Sequence, residues 1–101
     1  MLEQLTLETF REQLGKGFRL DPGEGAPALD LVLAEARDLT RADGAHGPRR
    51  NPFSLVFLGP TRPILPQRIY PLTNDAMGRI EIFLVPIGAD AQGVRYEAVF
   101  N

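Results

Sequence analysis

The chain has 101 residues, of which 44% are hydrophobic and 24% are charged, and this composition is typical of one globular domain rather than of a disordered or fibrous chain. The net charge of −2 offers no basic field for phosphate groups, so we expect no nucleic-acid partner. The absence of cysteine excludes disulfides, thiolate metal sites and thiol nucleophiles.

The N-terminal segment predicts a short amphipathic helix from Leu7 to Leu14. Thr6 is a suitable N-cap, and Gly15 stands where a left-handed C-cap is expected. Phe10 and Leu14 recur at a helical interval, so they are expected to pack the helix onto the rest of the chain.

Neither secretion nor membrane insertion is expected. The first residues include Glu3, Glu8 and Glu12 and lack the basic and apolar regions of a signal peptide. The longest mainly apolar run, residues 80–87, is interrupted by a glutamate and a proline and falls short of the roughly 20 residues that span a bilayer. We therefore expect the chain to stay in the cytoplasm or to join a larger assembly.

Six strands are predicted after the helix, because apolar residues recur with a period of two between turn residues. They are expected at residues 17–20, 28–39, 53–58, 67–72, 78–87 and 94–100. Phe83, Leu84 and Val85 are consecutive apolar residues, so this half of the fifth strand is expected to be buried on both faces. The predicted fold is mainly β (α+β): a single domain over residues 1–101, with mostly antiparallel strands in a small barrel or sandwich and the helix over one open end.

Residues 40–52, TRADGAHGPRRNP, predict a surface loop, since they contain glycine, proline and charge without an apolar period. Arg49 and Arg50 are candidate binding residues for an acidic partner. A solvated loop face is the commoner role for such residues.

The stretch LPQRIYPLTND, residues 65–75, contains the other candidate binding residues, Gln67, Arg68 and Tyr70. Its prolines cannot donate to a sheet ladder, so they predict an edge strand or a short, interrupted one. In a purely structural role, Gln67 would bond to the loop backbone and Tyr70 would bury its ring with the hydroxyl at a polar rim. Edge strands also recruit partners, which is the alternative interpretation.

No catalytic residue, metal or cofactor is predicted. Ser54 and His46 are the only serine and histidine, but Ser54 lies in a strand without the G-x-S-x-G elbow, and His46 lies in the loop with nothing to orient its ring. Adding Asp38 or Asp43 does not complete a convincing triad. With one histidine and no cysteine, only carboxylates remain as metal ligands. The spacing of the candidates matches no calcium loop; they are Asp21, Glu24, Asp30 and Asp38.

Several motifs resemble a known family. They are FSLVFLGP at 53–60, LPQ at 65–67 followed by Tyr70, MG at 77–78, FLVP at 83–86 and YEAVFN at 96–101. In combination they resemble a family of small bacterial proteins described as a domain of unknown function, and Phe10 and Gly17-Phe18 fit its start. The resemblance implies no activity, cofactor or catalytic residue. It implies relatives that occur near phage-tail-collar-like proteins, and hence a role in a fibre or tail-like assembly.

Together, these patterns predict a non-enzymatic structural or protein-binding module, whose partner is another protein or a second copy of the chain. It would be an accessory protein or subunit of a phage-tail-like or surface fibre assembly. The alternative is a small-ligand-binding β-barrel with a mouth lined by Tyr70, Phe83 and Tyr96.

Overall fold

A computed structural model of the protein describes residues 5–40 and 52–101. That part of the chain contains one helix and six strands, as the sequence predicts. They are α1 (Leu7–Arg11), β1 (Gly17–Leu20), β2 (Leu29–Asp38), β3 (Phe53–Gly59), β4 (Arg68–Asn74), β5 (Gly78–Asp90) and β6 (Gly93–Phe100).

The strands form a closed antiparallel barrel in the order β1-β2-β3-β6-β5-β4. This decides between the barrel and the sandwich that the sequence left open. β4 pairs with β5 along its whole length, from Arg68 opposite Leu84 to Asn74 opposite Gly78. The seam that closes the barrel is shorter, because β1 meets β4 only where Arg19 and Leu20 lie opposite Thr73 and Leu72.

Pro71 fits this short seam. The backbone N–H of Asp21, just past the end of β1, donates to the Pro71 carbonyl at 3.0 Å. The Pro71 nitrogen points to the same side of the strand and carries no hydrogen to donate, so the pairing of β4 with β1 ends at this residue. The prediction of an edge strand is therefore wrong, because β4 belongs to a closed barrel. Only the first half of β4 extends beyond the end of β1.

The barrel interior is filled by alternate residues of the strands. Phe18 and Phe57 meet edge to face there, with ring centroids 5.2 Å apart. The largest fully buried side chains are Tyr70, Tyr96, Phe10, Phe18, Phe53, Phe57, Leu20, Leu31, Leu33, Leu55, Leu72 and Leu84. A small barrel whose interior is packed with side chains in this way is a solid core rather than a container.

The helix α1 closes one end of the barrel through a single aromatic residue. The Thr6 hydroxyl caps it by accepting the Thr9 N–H at 3.3 Å, and Phe10 packs against Phe53 and Phe100 with centroids 6.0 and 5.7 Å apart. The predicted role of Leu14 is wrong: it is 42% exposed, because the chain leaves the α-helix after Arg11 and continues in tight turns. The described part of the chain contains no helix with the length and hydrophobicity needed to cross a lipid bilayer.

The second half of β5 is not buried on both faces as predicted. Leu84 points into the core and is fully buried, whereas Phe83 and Ile87 point outward and are about half exposed. In a barrel wall only one face meets the core, so an unbroken apolar run must expose half its members unless another layer covers them. β3 is the strand with cover on both sides, since even its outward residues Ser54 and Val56 are buried.

Candidate functional site

The predicted binding residues Gln67, Arg68 and Tyr70 lie at one rim of the barrel, where the chain passes from β3 to β4 through residues 60–67 (the rim loop). This is the end opposite α1, because β3 begins beside Phe10 and ends at the rim loop. Arg49, Arg50 and His46 fall outside the described residues.

Tyr70 has the structural role that the sequence predicted. Its ring is buried, and its hydroxyl donates to the Pro66 carbonyl at 2.6 Å. Burial raises the pKa of the Tyr70 hydroxyl, and the Arg68 charge partly opposes that rise. The loop-bonding role expected of Gln67 thus belongs to Tyr70, and Gln67 itself is exposed.

Tyr96 anchors the same loop from β6. Its hydroxyl accepts the backbone N–H of Leu65 at 3.1 Å and lies 3.5 Å from the Pro63 carbonyl, to which it donates. The chain's two tyrosines therefore hold the rim loop over this end of the barrel. Sequence reasoning missed this use of Tyr96, because nothing in the spacing relates residues 31 positions apart.

Arg68 is fixed at the rim although it is exposed. One of its N–H groups, on Nη2, donates to the Pro22 carbonyl at 2.7 Å, and the guanidinium carbon lies 5.0 Å from the centre of the Tyr70 ring. The carbonyl and the ring face each restrict the side chain, so the charge is presented in a defined position.

The ligand-binding mouth predicted from Tyr70, Phe83 and Tyr96 does not form as expected. Both tyrosine hydroxyls are bonded to the rim loop, and Phe83 lies on the outer wall rather than at the mouth. Phe83 instead forms a cross-strand pair with Ile69 of β4, and the two side chains are 50% and 60% exposed. We call the outer surface formed by Ile69 and Phe83 the β4–β5 wall.

A shallow groove of about 640 Å³ lies on another side of the barrel, over β1. Arg19 lines this groove. Its Nε is 3.3 Å from Asp30 Oδ1, and Thr73 lies opposite it on β4. Both members of this ion pair are exposed, so the interaction adds little stability.

Asn74, beside this groove, is buried for structural reasons. Its side-chain amide donates to the Gly17 carbonyl at 3.1 Å and its Oδ1 accepts the N–H groups of Ala76 and Met77 at 2.8 and 2.9 Å. These bonds tie the β4–β5 turn to the start of β1.

The described residues supply little that resembles a reaction centre. Ser54 is buried within β3, as expected for a strand residue rather than an exposed nucleophile. Between residues 5–40 and 52–101, no three histidine, aspartate or glutamate side chains are close enough together to hold a metal ion.

A family model described as a domain of unknown function, DUF6916, matches residues 5–100. Comparison with curated proteins and with solved structures finds no match to either. The matched range includes the helix and all six strands. The chain therefore belongs to the DUF6916 family, a domain of unknown function.

Proposed function

We propose that this protein is a non-enzymatic protein-binding module that contacts its partner through the β4–β5 wall. The observation that carries the proposal is the directly paired, half-exposed Ile69 and Phe83 on an otherwise well-packed barrel. Adjacent large apolar side chains on a rigid surface are a common mark of a protein interface. About half of each side chain is still exposed, so burying the rest against a partner would contribute about 1–1.5 kcal/mol for each residue, half the value for a fully exposed side chain, before the costs of association are subtracted.

Contact through side chains fits this surface better than strand addition. β5 occupies one edge of β4 along its whole length, and Asp21 occupies part of the other. Few backbone groups of β4 are left to pair with an added strand, which is the requirement of that binding mode.

The surface is also preorganised. Ile69 and Phe83 lie on strands in continuous register, and the adjoining rim loop is held by two tyrosine hydroxyls. A partner would order few additional groups on binding, so little of the interaction energy would be lost to conformational entropy.

We further propose that the module is an accessory protein or subunit of a phage-tail-like or surface fibre assembly. The resemblance of its motifs to proteins that occur near tail-collar-like components supports this setting. An assembly would also give the β4–β5 wall a permanent partner, which accounts for its apolar residues.

Affinity capture from native host cells tests the proposal, with wild type, Phe83→Ser and the matched control Val32→Ser. Val32 is also exposed but lies on β2, across the barrel from β5. We expect one protein in stoichiometric amount with wild type and Val32→Ser, and its loss with Phe83→Ser. Equal capture by all three proteins, or no stoichiometric partner for any of them, would contradict the proposal.

The groove over β1 supports a second candidate function, the binding of a small ligand. Its volume of about 640 Å³ lies within the range of ligand sites, and Arg19, Asp30 and Thr73 supply polar groups of both charges. A thermal-shift screen of metabolites would test it, since a ligand at 100 times its Kd adds about 2.7 kcal/mol. A compound that stabilises wild type but not Arg19→Ala would support this function; one that stabilises both equally would not bind in this groove.

A further inference from the structure

We infer that the partner adds an extended strand to an unpaired edge of β5, next to the β4–β5 wall. We call the backbone N–H and C=O groups of Arg79, Glu81 and Phe83 the β5 edge; all three residues are exposed. Strand addition, for which β4 has too few free groups, is open to β5. The inference rests on the protein-binding function proposed above and specifies the partner as an extended segment of another protein.

The direction of these backbone groups follows from one hydrogen bond on β4. The Asp21 N–H donates to the Pro71 carbonyl, so the backbone groups of Pro71 point to β1 and away from β5. Pro71 lies opposite Glu81, and the two therefore form a non-hydrogen-bonded pair of the antiparallel ladder. Such pairs alternate with bonded ones, and the β4–β5 register contains no bulge. The backbone groups of Arg79 and Phe83 therefore also point away from β4.

On the side away from β4, the β5 edge has no strand partner in the described part of the chain. The neighbour on that side is β6, but its pairing with β5 ends where Val85 lies opposite Glu97. Beyond Glu97, the last residues of β6 pair with β3 alone. The barrel is closed by the rest of the β5–β6 ladder, and the first half of β5 keeps an open edge.

The second half of β5 is protected from strand addition, whereas the first half is not. Its pairing with β4 ends at Leu84, and Pro86 supplies no N–H to the side that β4 leaves free. A bulge follows, where the register with β6 shifts between Pro86 and Gly88. Prolines and bulges are common means by which natural sheets block an edge. The β5 edge contains neither of them.

The hydrogen-bonding pattern of the β5 edge specifies a polypeptide backbone. Donors and acceptors that alternate along a strand are matched by another extended chain. The residue of that chain opposite Phe83 would lie on the outer face beside the β4–β5 wall, so a large apolar side chain is favoured there. The two charged residues of the edge pair with each other, Arg79 Nη2 lying 3.3 Å from Glu81 Oε2. They therefore present no net charge that would repel the segment.

The charge pattern decides against a second copy of this chain as the occupant. A two-fold antiparallel pair that uses the whole β5 edge places Glu81 opposite its own counterpart, and like charges directly opposite destabilise a sheet. Sliding one copy by two residues in either direction places an end of the edge opposite Met77 or Val85. The Met77 N–H already donates to Asn74, and Val85 already pairs with β6. A segment of a different protein has neither restriction.

Amide hydrogen exchange of the free protein, measured by NMR, tests the edge itself. Ile80 and Ile82 form the hydrogen-bonded pairs with β4 that alternate with the edge residues. Relative to their intrinsic rates, we expect the amides of the β5 edge to exchange about 100-fold faster than those of Ile80 and Ile82, because protection follows hydrogen bonding. Equal protection along this half of β5 would mean that the edge is closed, and would overturn the inference.

Binding is tested with random twelve-residue peptides displayed on yeast and selected against the full chain; the best peptide is then synthesised. Glu81→Pro removes the central N–H of the edge without breaking a ladder bond, since Glu81 and Pro71 are a non-bonded pair. Glu81→Thr is the matched control, because it loses the same carboxylate but keeps the N–H. Phe83→Ser removes the apolar side chain that the edge shares with the wall.

The three variants separate strand addition from contact through side chains. We expect the peptide to bind Glu81→Thr as tightly as wild type, and to bind Glu81→Pro and Phe83→Ser about 10-fold more weakly, the scale of a lost hydrogen bond or apolar contact. A selection that yields no peptide sensitive to Glu81→Pro would overturn strand addition. If its peptides still depended on Phe83, the protein-binding wall would stand. Peptides sensitive to Glu81→Pro but not to Phe83→Ser would support the edge and contradict the wall.

Two further measurements keep the test decisive. Circular dichroism melting shows whether each variant is folded. If Glu81→Pro unfolds, exchange is measured on wild type with the peptide bound: the amides of the β5 edge should become protected, and unchanged exchange would overturn the inference. Sedimentation velocity tests for a second copy, since a dimer that Glu81→Pro dissociates and Glu81→Thr does not would assign the edge to self-association and overturn the choice of partner.

Discussion

Tyr96 and Leu65 are joined across the mouth of the barrel: the Leu65 backbone N–H donates to the Tyr96 hydroxyl at 3.1 Å. Leu65 is only 7% exposed, so water has little access to this N–H. Tyr70 holds the next residue of the loop through the Pro66 carbonyl. The two hydroxyls thus fix the rim loop over this end of the barrel.

Removing the Tyr96 hydroxyl should destabilise the fold more than removing that of Tyr70. Tyr96→Phe leaves a buried N–H without a partner and should lower the free energy of unfolding by about 1–3 kcal/mol. Tyr70→Phe removes the donor to the carbonyl of exposed Pro66. That carbonyl can accept a hydrogen bond from water instead, so the free energy of unfolding should fall by only about 0.5–1.5 kcal/mol. Urea denaturation measures both. An equal loss in the two variants would mean that the Leu65 N–H finds another partner.

The titration of Tyr70 provides a second prediction. Burial raises the pKa of its hydroxyl above the ordinary value of 10.0, and the Arg68 cation lowers it in part. Since the folded pKa exceeds the unfolded one, this contribution to stability is complete below about pH 10 and is lost as the pH rises through the folded pKa. NMR of ring-labelled tyrosine should give a Tyr70 pKa above that of free tyrosine.

Arg68→Met is the matched variant for this titration. It retains an unbranched apolar side chain but removes the charge, so the pKa of Tyr70 should rise further. An unchanged or lower pKa would indicate that Arg68 does not remain over the ring in solution.

The local features of the fold were predictable because they depend on neighbouring residues. β1 has the predicted limits, since Gly17 follows a helix stop and Asp21 begins a turn. Thr6 is the helix cap for the same reason: its hydroxyl reaches a donor three residues away. The alternation of Tyr96, Ala98 and Phe100 likewise gives the inward face of β6.

The candidate site depends on pairings that span the chain, and these were not predictable. Ile69 and Phe83 form one surface only because β4 and β5 pair in a particular register. Periodicity alone could not say which residue of the run from Phe83 to Val85 lacks cover, because covering depends on a second layer that the sequence does not reveal. The link between Tyr96 and Leu65 has the same origin.

Gly93 should tolerate no side chain. Its φ of +143° lies in a region that L-residues rarely adopt, and an added Cβ would overlap the Gly59 carbonyl oxygen on β3. Gly93→Ala should lower the free energy of unfolding by more than about 2 kcal/mol, from backbone strain and the clash together. Gly88 is the control, because its φ is ordinary and nothing lies within 4 Å of an added Cβ; Gly88→Ala should change stability by less than about 0.5 kcal/mol. A loss in Gly93→Ala as small as that in Gly88→Ala would mean that the β3–β6 contact relaxes to admit the methyl group.

Phe10 should account for most of the stability that α1 contributes. It is fully buried between Phe53 and Phe100, so Phe10→Ala should cost about 3–5 kcal/mol, the range for deleting a core aromatic side chain. Leu14 belongs to the same segment but is 42% exposed, and Leu14→Ala should cost less than about 1 kcal/mol because little buried area is lost. Urea denaturation of the two variants compares them directly. If Leu14→Ala were as costly as Phe10→Ala, the helical segment would have to extend beyond Arg11 in solution and pack with both residues, as its sequence alone suggested.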